Sequence, residues 1–146
     1  MPTLATNKRA FYDYEILEKF EAGIRLSGQE VKSAKLGNMS LKAAYVVIGM
    51  QGATLLNAHI GKYSKAGPLP SYEPTRTRQL LLKKRELQTL WGKTHEQGLT
   101  LVPLSVYTKR TLIKVEVGLA RGKKKYDKRE AIKERDWKRR KARIMN

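Results

Sequence analysis

The chain has 146 residues, with 31 Lys and Arg against 13 Asp and Glu, a formal net charge of +18 and a sequence pI near 10.3. That length fits one domain, and 40% apolar residues can supply its core. The lack of cysteine excludes a disulfide-built secreted domain and a thiolate metal site, two isolated histidines make no zinc site, and the longest nearly apolar run, Ala43 to Met50, is far short of the ~20 residues of a membrane helix. In chain order, Tyr14 to Ile24 reads as a strand with a bend or bulge at Ala22-Gly23. Gln29 to Lys35, between Gly28 and Gly37, reads as a short helix. Ser40 to Met50 and Ala53 to Ile60 are β-rich runs separated by Gln51-Gly52, a hairpin signal. Gly61 to Arg78 holds three prolines and two glycines and reads as a long loop. Gln79 to Gln97 is the best internal helix, with Leu80, Leu87, Leu90 and Trp91 on one face and Gly98 as its stop. Leu99 to Tyr107 is a strand whose phase shifts at Pro103. Leu112 to Ala120 alternates, placing Ile113, Val115, Val117 and Leu119 opposite Lys114 and Glu116.

These elements predict a mainly β body of five or six antiparallel strands with short flanking helices. No βαβ alternation is sustained, which argues against a parallel sheet. A small Greek-key barrel of oligonucleotide-binding type removes sheet edges and offers a nucleic-acid face. An open α+β sheet is the alternative.

The charge divides the chain. Arg121 to Asn146 carry 13 Lys and Arg against 4 Asp and Glu, a net +9, so this short segment holds half the excess. Residues 1–120 are expected to form the barrel body and 121–146 a basic C-terminal tail. The tail has too little apolar area to offset its ordering entropy and is expected to be disordered when free. It is nevertheless primed for helix. Asp127-Lys128-Arg129-Glu130 has the form of a capping box, and Glu134→Lys138 and Asp136→Arg140 are favourably oriented i,i+4 pairs. A plain solubilising tail is the competing reading.

Catalytic signals are sparse. There is no phosphate-cradling glycine motif and no nucleophile elbow. His59, in a strand pattern, and His95, at a helix end, read as structural residues. Glu21 and Glu30 could form an acid–base pair, but in so basic a chain a carboxylate better accepts bonds from nucleobases or orients an arginine. Cations interleave with aromatics around Lys8-Arg9-Ala10-Phe11-Tyr12, Tyr72 to Arg78, and Lys123-Lys124-Lys125-Tyr126. Cations meet phosphate and rings stack on unpaired bases. Tyr14 and Tyr107 are expected in the core, Tyr12 and Tyr126 on the surface. The N-terminus lacks the apolar stretch of a signal peptide. A cytosolic protein that meets a polyanion is therefore expected, with no catalytic activity, cofactor or metal.

Five motifs occur in order: Glu21-Ala22-Gly23-Ile24; Gly28-Gln29-Glu30-Val31-Lys32-Ser33; Arg76-Thr77-Arg78-Gln79-Leu80-Leu81-Leu82; Gly98 to Leu104; and Gly122-Lys123-Lys124-Lys125-Tyr126-Asp127-Lys128-Arg129. Together they resemble the SsrA-binding protein family (small protein B), from about Asn7 to Met145. The resemblance implies an oligonucleotide-binding-type barrel and no enzymatic activity. It implies that the tRNA-like domain of transfer-messenger RNA is bound and brought to the A site of stalled ribosomes for trans-translation. The body would stand in for the anticodon stem and codon. The tail would turn helical in the empty mRNA channel of the small subunit, against its rRNA. Elongation factor Tu and alanyl-tRNA synthetase would be partners only through the RNA.

By the same resemblance Glu21, Leu81 and Lys114 would contact the RNA elbow, with Glu30 and Lys32 near that surface. Tyr12 stands where the family commonly has His at the decoding centre, which puts any role of imidazole charge in doubt. Gln79 replaces a frequent Lys. The tail contacts would be Lys123, Lys124, Lys125, Tyr126, Asp127, Lys128, Arg129, Trp137, Ile144 and Met145. Two alternatives stay open: a generic basic ribosomal or ribosome-assembly protein, and an RNA-modifying enzyme using the Glu21/Glu30 surface.

Overall fold

The computed structural model describes residues 2–49, 52–66 and 72–122. Among these residues nine strands and three α-helices follow in the order β1 (Thr3–Thr6), α1 (Lys8–Asp13), β2 (Tyr14–Ile24), α2 (Gly28–Lys35), β3 (Met39–Ser40), β4 (Tyr45–Gly49), β5 (Gly52–Leu56), β6 (His59–Ile60), β7 (Arg78–Leu81), α3 (Lys84–Glu96), β8 (Thr100–Lys109) and β9 (Leu112–Gly122). Seven strands form one sheet in the order β1-β8-β9-β2-β7-β5-β4, and β3 and β6 pair separately. Every pairing is antiparallel. The class expected from the sequence, a mainly β antiparallel body with short helices, is the one observed.

Hydrogen bonds among the described residues do not close this sheet, whose edges are β1 and β4. The sheet curls until β4 lies against β8, yet no ladder forms there. Asn7 accounts for part of this. Its backbone N–H donates to the Leu104 carbonyl at 2.8 Å and its side-chain amide to the Pro103 carbonyl at 2.9 Å. These acceptors of β8 are thereby taken. An open groove of about 360 Å³, lined by Asn7, Arg9, Asp13, Tyr14, Lys42 and Tyr45 among others, lies beside this unpaired β4–β8 seam.

Several sequence expectations are corrected. The bulge of β2 falls between Ile16 and Glu18, not at Ala22-Gly23. The run from Ser40 splits at a turn after Leu41 into β3 and β4. The run from Ala53 splits at Asn57, whose φ is +59°, into β5 and β6. The helix expected from Gln79 begins only at Lys84, because Arg78 to Leu81 form a strand between β2 and β5. That segment keeps apolar residues at helical spacing, but its backbone groups are claimed by two flanking strands. The N-terminal β1 and α1 have no counterpart in the expectations. The other elements agree closely: the β4–β5 hairpin, the β8 irregularity between Pro103 and Ser105, and the end of α3 before Gly98, which carries the left-handed φ of +66° that favours glycine at a helix stop. Strand β9 runs past residue 120, with Arg121 and Gly122 paired to Glu15 and Tyr14.

The main core lies inside the curled sheet. It contains Leu41, Leu55, Ile60, Leu90, Val106, Val115, Val117 and Leu119 among others. The alternation read in β9 thus faces this core as expected. Beyond Gly118 the opposite face is buried as well, because α1 covers Ala120, Val102 and Leu104 with Ala10.

Candidate nucleic-acid interface

Strands β8, β9, β2 and β7 bring a row of residues together on the outer side of the sheet. Residues directly opposite in an antiparallel ladder project from the same face. Tyr107 pairs with Lys114, Lys114 with Gly23, and Gly23 with Leu81. One step along, Ser105 pairs with Glu116 and Glu116 with Glu21. Glu21, Leu81 and Lys114, three residues widely spaced in sequence, therefore occupy one outward patch. Gly23 sits at its centre. A Cβ there would come 3.2 Å from the Leu81 Cβ, so a side chain would crowd the junction. The bare backbone leaves a groove of about 220 Å³ bordered by Ile24, Leu26, Val31, Leu81, Leu112 and Lys114 among others. Leu81 and Leu112 are 45% and 58% exposed at this groove, so its rim offers apolar surface to a ligand.

Glu21 is fixed by β8. The Tyr107 hydroxyl donates to its Oε2, and the Lys109 ammonium lies 3.1 Å from Oε1. The Tyr107 hydrogen bond, the Lys109 contact and the field of Lys114 hold the Glu21 carboxyl below its ordinary range. It is a carboxylate at neutral pH, with lone pairs still open to a base edge or a ribose hydroxyl. Tyr107 responds in the opposite sense, pushed well above an ordinary phenol by burial and by the bond to Glu21. Tyr107, expected in the core, is instead half-buried on the outer face, and no sequence motif marks Lys109 beside it. The irregularity between Pro103 and Ser105 resets the β8 alternation, so that Ser105, Tyr107 and Lys109 turn outward and Val106 points to the main core.

Charge on this patch is nearly balanced. Lys19 lies 3.9 Å from Glu116, and Lys109 and Lys114 stand against Glu21. The patch is therefore a shaped polar and apolar contact face rather than a concentrated phosphate-binding field.

Glu30 stands elsewhere. It is only 1% exposed, on α2, where it accepts from the Ser27 N–H at 2.9 Å to complete a capping box. Its carboxylate is also gripped by Arg76 and by Arg78, whose Nε lies 2.8 Å from Oε2. Burial alone would raise this carboxyl. Bonds from Arg76, the Ser27 N–H and Arg78 outweigh it and hold the group below its ordinary range. A carboxylate with almost no exposed area offers no direct contact to a ligand; Glu30, expected near the RNA surface, here orients two arginines. Arg78 is wholly buried and also donates to the Ala58 and Pro74 carbonyls at 2.6 and 2.9 Å. The clamp ties the 72–78 segment to α2. The hydroxyl of Tyr72 adds a bond to the Ile60 carbonyl at 2.6 Å. Lys32 is exposed on the same helix, its ammonium 5.7 Å above the Tyr63 ring.

Tyr12 is half-buried on α1 rather than fully exposed. It is not brought to the Glu21 patch. From Tyr14 to Glu21 strand β2 runs roughly 23 Å at ~3.3 Å per residue. The contacts expected at Lys123, Lys124, Lys125, Tyr126, Asp127, Lys128, Arg129, Trp137, Ile144 and Met145 lie outside the described residues. His59 is exposed on β6, and His95 stacks on Trp91 with ring centroids 3.5 Å apart. Among the described residues no cluster of His, Asp and Glu could hold a metal ion, and no helix is long and apolar enough to cross a membrane.

Fold and face together define a basic, curled β-sheet protein built around a contact surface. The family model described as SmpB protein matches residues 4–146. The chain belongs to that family. An SsrA-binding protein of Sulfurihydrogenibium sp. is 54% identical over 136 residues, 93% of this chain and 89% of its own. One from Ralstonia nicotianae is 49% identical over 143 residues, 98% of this chain and 97% of its own. A chain in the solved structure described as "tmRNA-SmpB: a journey to the center of the bacterial ribosome" is 43% identical with a TM-score of 0.68, and the match covers 90% of this chain and 95% of that one.

Proposed function

We propose that this chain binds the tRNA-like domain of transfer-messenger RNA and carries it to stalled ribosomes for trans-translation. The observation that carries the reading is the meeting of Glu21, Leu81 and Lys114 around Gly23 on one outward face. Family membership and the likeness to a ribosome-associated tmRNA-SmpB chain support it. On this face Leu81 covers an apolar part of the RNA, Lys114 meets a phosphate, and Glu21 accepts from a base or a 2′-hydroxyl. The body acts as an oligonucleotide-binding-type barrel, left open at the β4–β8 gap. It acts by binding and not by catalysis, in the cytoplasm, and meets elongation factor Tu and alanyl-tRNA synthetase only through the RNA. Tyr12, on α1 just before β2, faces the decoding centre.

Residues 121–146, of which Arg121 and Gly122 still belong to β9, act as a second unit. Thirteen Lys and Arg in this stretch suit an rRNA-walled channel that is free of message, where the segment turns helical. An occupied channel excludes it by shape and by charge. Two RNAs are then held by two regions.

The test is to capture the protein from a bacterial lysate and sequence the bound RNA. One dominant RNA with a tRNA-like end is expected, whereas a broad rRNA spectrum would instead indicate a general ribosomal or assembly protein. Removing Lys128 to Asn146 is expected to leave binding to that RNA intact and abolish ribosome rescue. Loss of both together would sink the two-region division.

A further inference from the structure

The near-balanced charge of the Glu21 patch leaves the body's phosphate contacts largely unplaced, and the clamp beside α2 supplies one. Glu30 brings a single negative charge to two guanidinium groups, and no other carboxylate among the described residues pairs with either. The cluster therefore keeps one net positive charge. Its two arginines are used differently. Arg78 has no exposed side-chain area, and each of its nitrogens faces Glu30 or a backbone carbonyl. The Arg76 side chain is 40% exposed. Its Nε and Nη2 face Glu30, and its Nη1 donates to the Thr77 carbonyl at 3.2 Å.

A guanidinium has five N–H donors. With those three engaged, Arg76 keeps one on each Nη, along the edge turned away from the carboxylate. Two parallel N–H groups at that spacing match two oxygens of a phosphate. Because the clamp already fixes the side chain, little rotamer freedom remains to be lost on binding.

We infer that the outer edge of the Arg76 guanidinium, held by Glu30 and the Thr77 carbonyl, is a binding site for one backbone phosphate of a structured RNA. This deepens the proposed RNA-binding role and rests on it. The site reads no base. It adds a phosphate contact to that of Lys114, from a rigid rather than a swinging cation.

The full chain is titrated across salt with two probes: the tRNA-like domain of transfer-messenger RNA and an unrelated RNA hairpin of equal length. Arg76→Gln is expected to weaken binding to both about fivefold to tenfold and to reduce the log–log salt slope by about 0.7–0.9. Arg76→Lys is expected to keep the slope and lose about threefold in affinity, since an ammonium is a point charge without the fork. Wild-type affinity and slope in Arg76→Gln overturn the site. If that variant unfolds, Arg76→Lys decides, and wild-type affinity there overturns it. The two readings fail separately. A wild-type chain that binds the hairpin as tightly as the tRNA-like domain removes the transfer-messenger RNA reading, while a reduced slope for Arg76→Gln on the hairpin still upholds the phosphate site.

Discussion

Glu21 and Glu30 lie nine positions apart and end in opposite surroundings. Both carboxyls are held below their ordinary range. Glu21 achieves this on an open sheet face, through the Tyr107 hydroxyl and Lys109. Glu30 achieves it in the interior, against the cost of burial, through Arg76, the Ser27 N–H and Arg78. The shared direction by itself does not separate an exposed carboxylate from an enclosed one. What distinguishes the two is remaining surface. The partners of Glu21 lie along the sheet and leave its oxygens reachable, whereas those of Glu30 enclose it and pass the exposed surface on to Arg76.

Removing one charge from the interior cluster should have the largest effect. Glu30→Ala leaves Arg78 buried and uncompensated, and a loss of about 3–5 kcal/mol is expected in chemical denaturation. Glu21→Ala should lie within about 0.5 kcal/mol of wild type in the same assay. Equal losses would break the contrast between the two carboxylates.

Acid should produce the same difference gradually. The folded value of Glu30 lies below the ordinary 4.5, so its contribution is present above that value and is lost as pH falls through the lower folded one. Thermal unfolding is expected to be insensitive to this group between pH 7 and 5 and to weaken below about 4.5. Glu21→Gln should leave most of that acid limb in place, because Glu21 is open to solvent.

RNA binding should reverse the ranking. Glu21→Gln and Leu81→Ala are each expected to weaken binding to the tRNA-like domain about tenfold, or ~1.4 kcal/mol, with melting temperature nearly unchanged. The smallest expected effect is that of Tyr107→Phe. It keeps the ring and removes the hydroxyl that orients Glu21, so affinity should fall about threefold, and Glu21→Gln/Tyr107→Phe should lose little more than Glu21→Gln alone. Full additivity in that pair would show that Tyr107 acts independently of Glu21.

Parts of this were legible in the residues. The β9 alternation of Ile113, Val115, Val117 and Leu119 faces the core because a period of two admits only one buried side. The β4–β5 hairpin and the stop at Gly98 follow from local turn chemistry. The strand Arg78 to Leu81 is hidden because Leu80, Leu87, Leu90 and Trp91 fit a helical spacing that starts at Gln79, while Arg78 reads as the end of the preceding loop. Four residues carry too little pattern to reveal that two strands already flank them. The β1–α1 segment was missed for a related reason. Its order depends on Asn7 bonding to Pro103 and Leu104, nearly a hundred residues away.

By itself, the sequence determined the mainly β antiparallel class, the concentration of charge after residue 120 and the motif order that resembles the family. These are properties of composition, period and spacing along one dimension. Only the tertiary structure decided that the sheet stops short of closure at β4 and β8. It also decided that Tyr107 and Lys109 stand beside Glu21, and that Glu30 turns inward to hold Arg76. Each of those outcomes depends on which distant backbone or side-chain group satisfies a charge or a carbonyl, a pairing made across the fold and not along the chain.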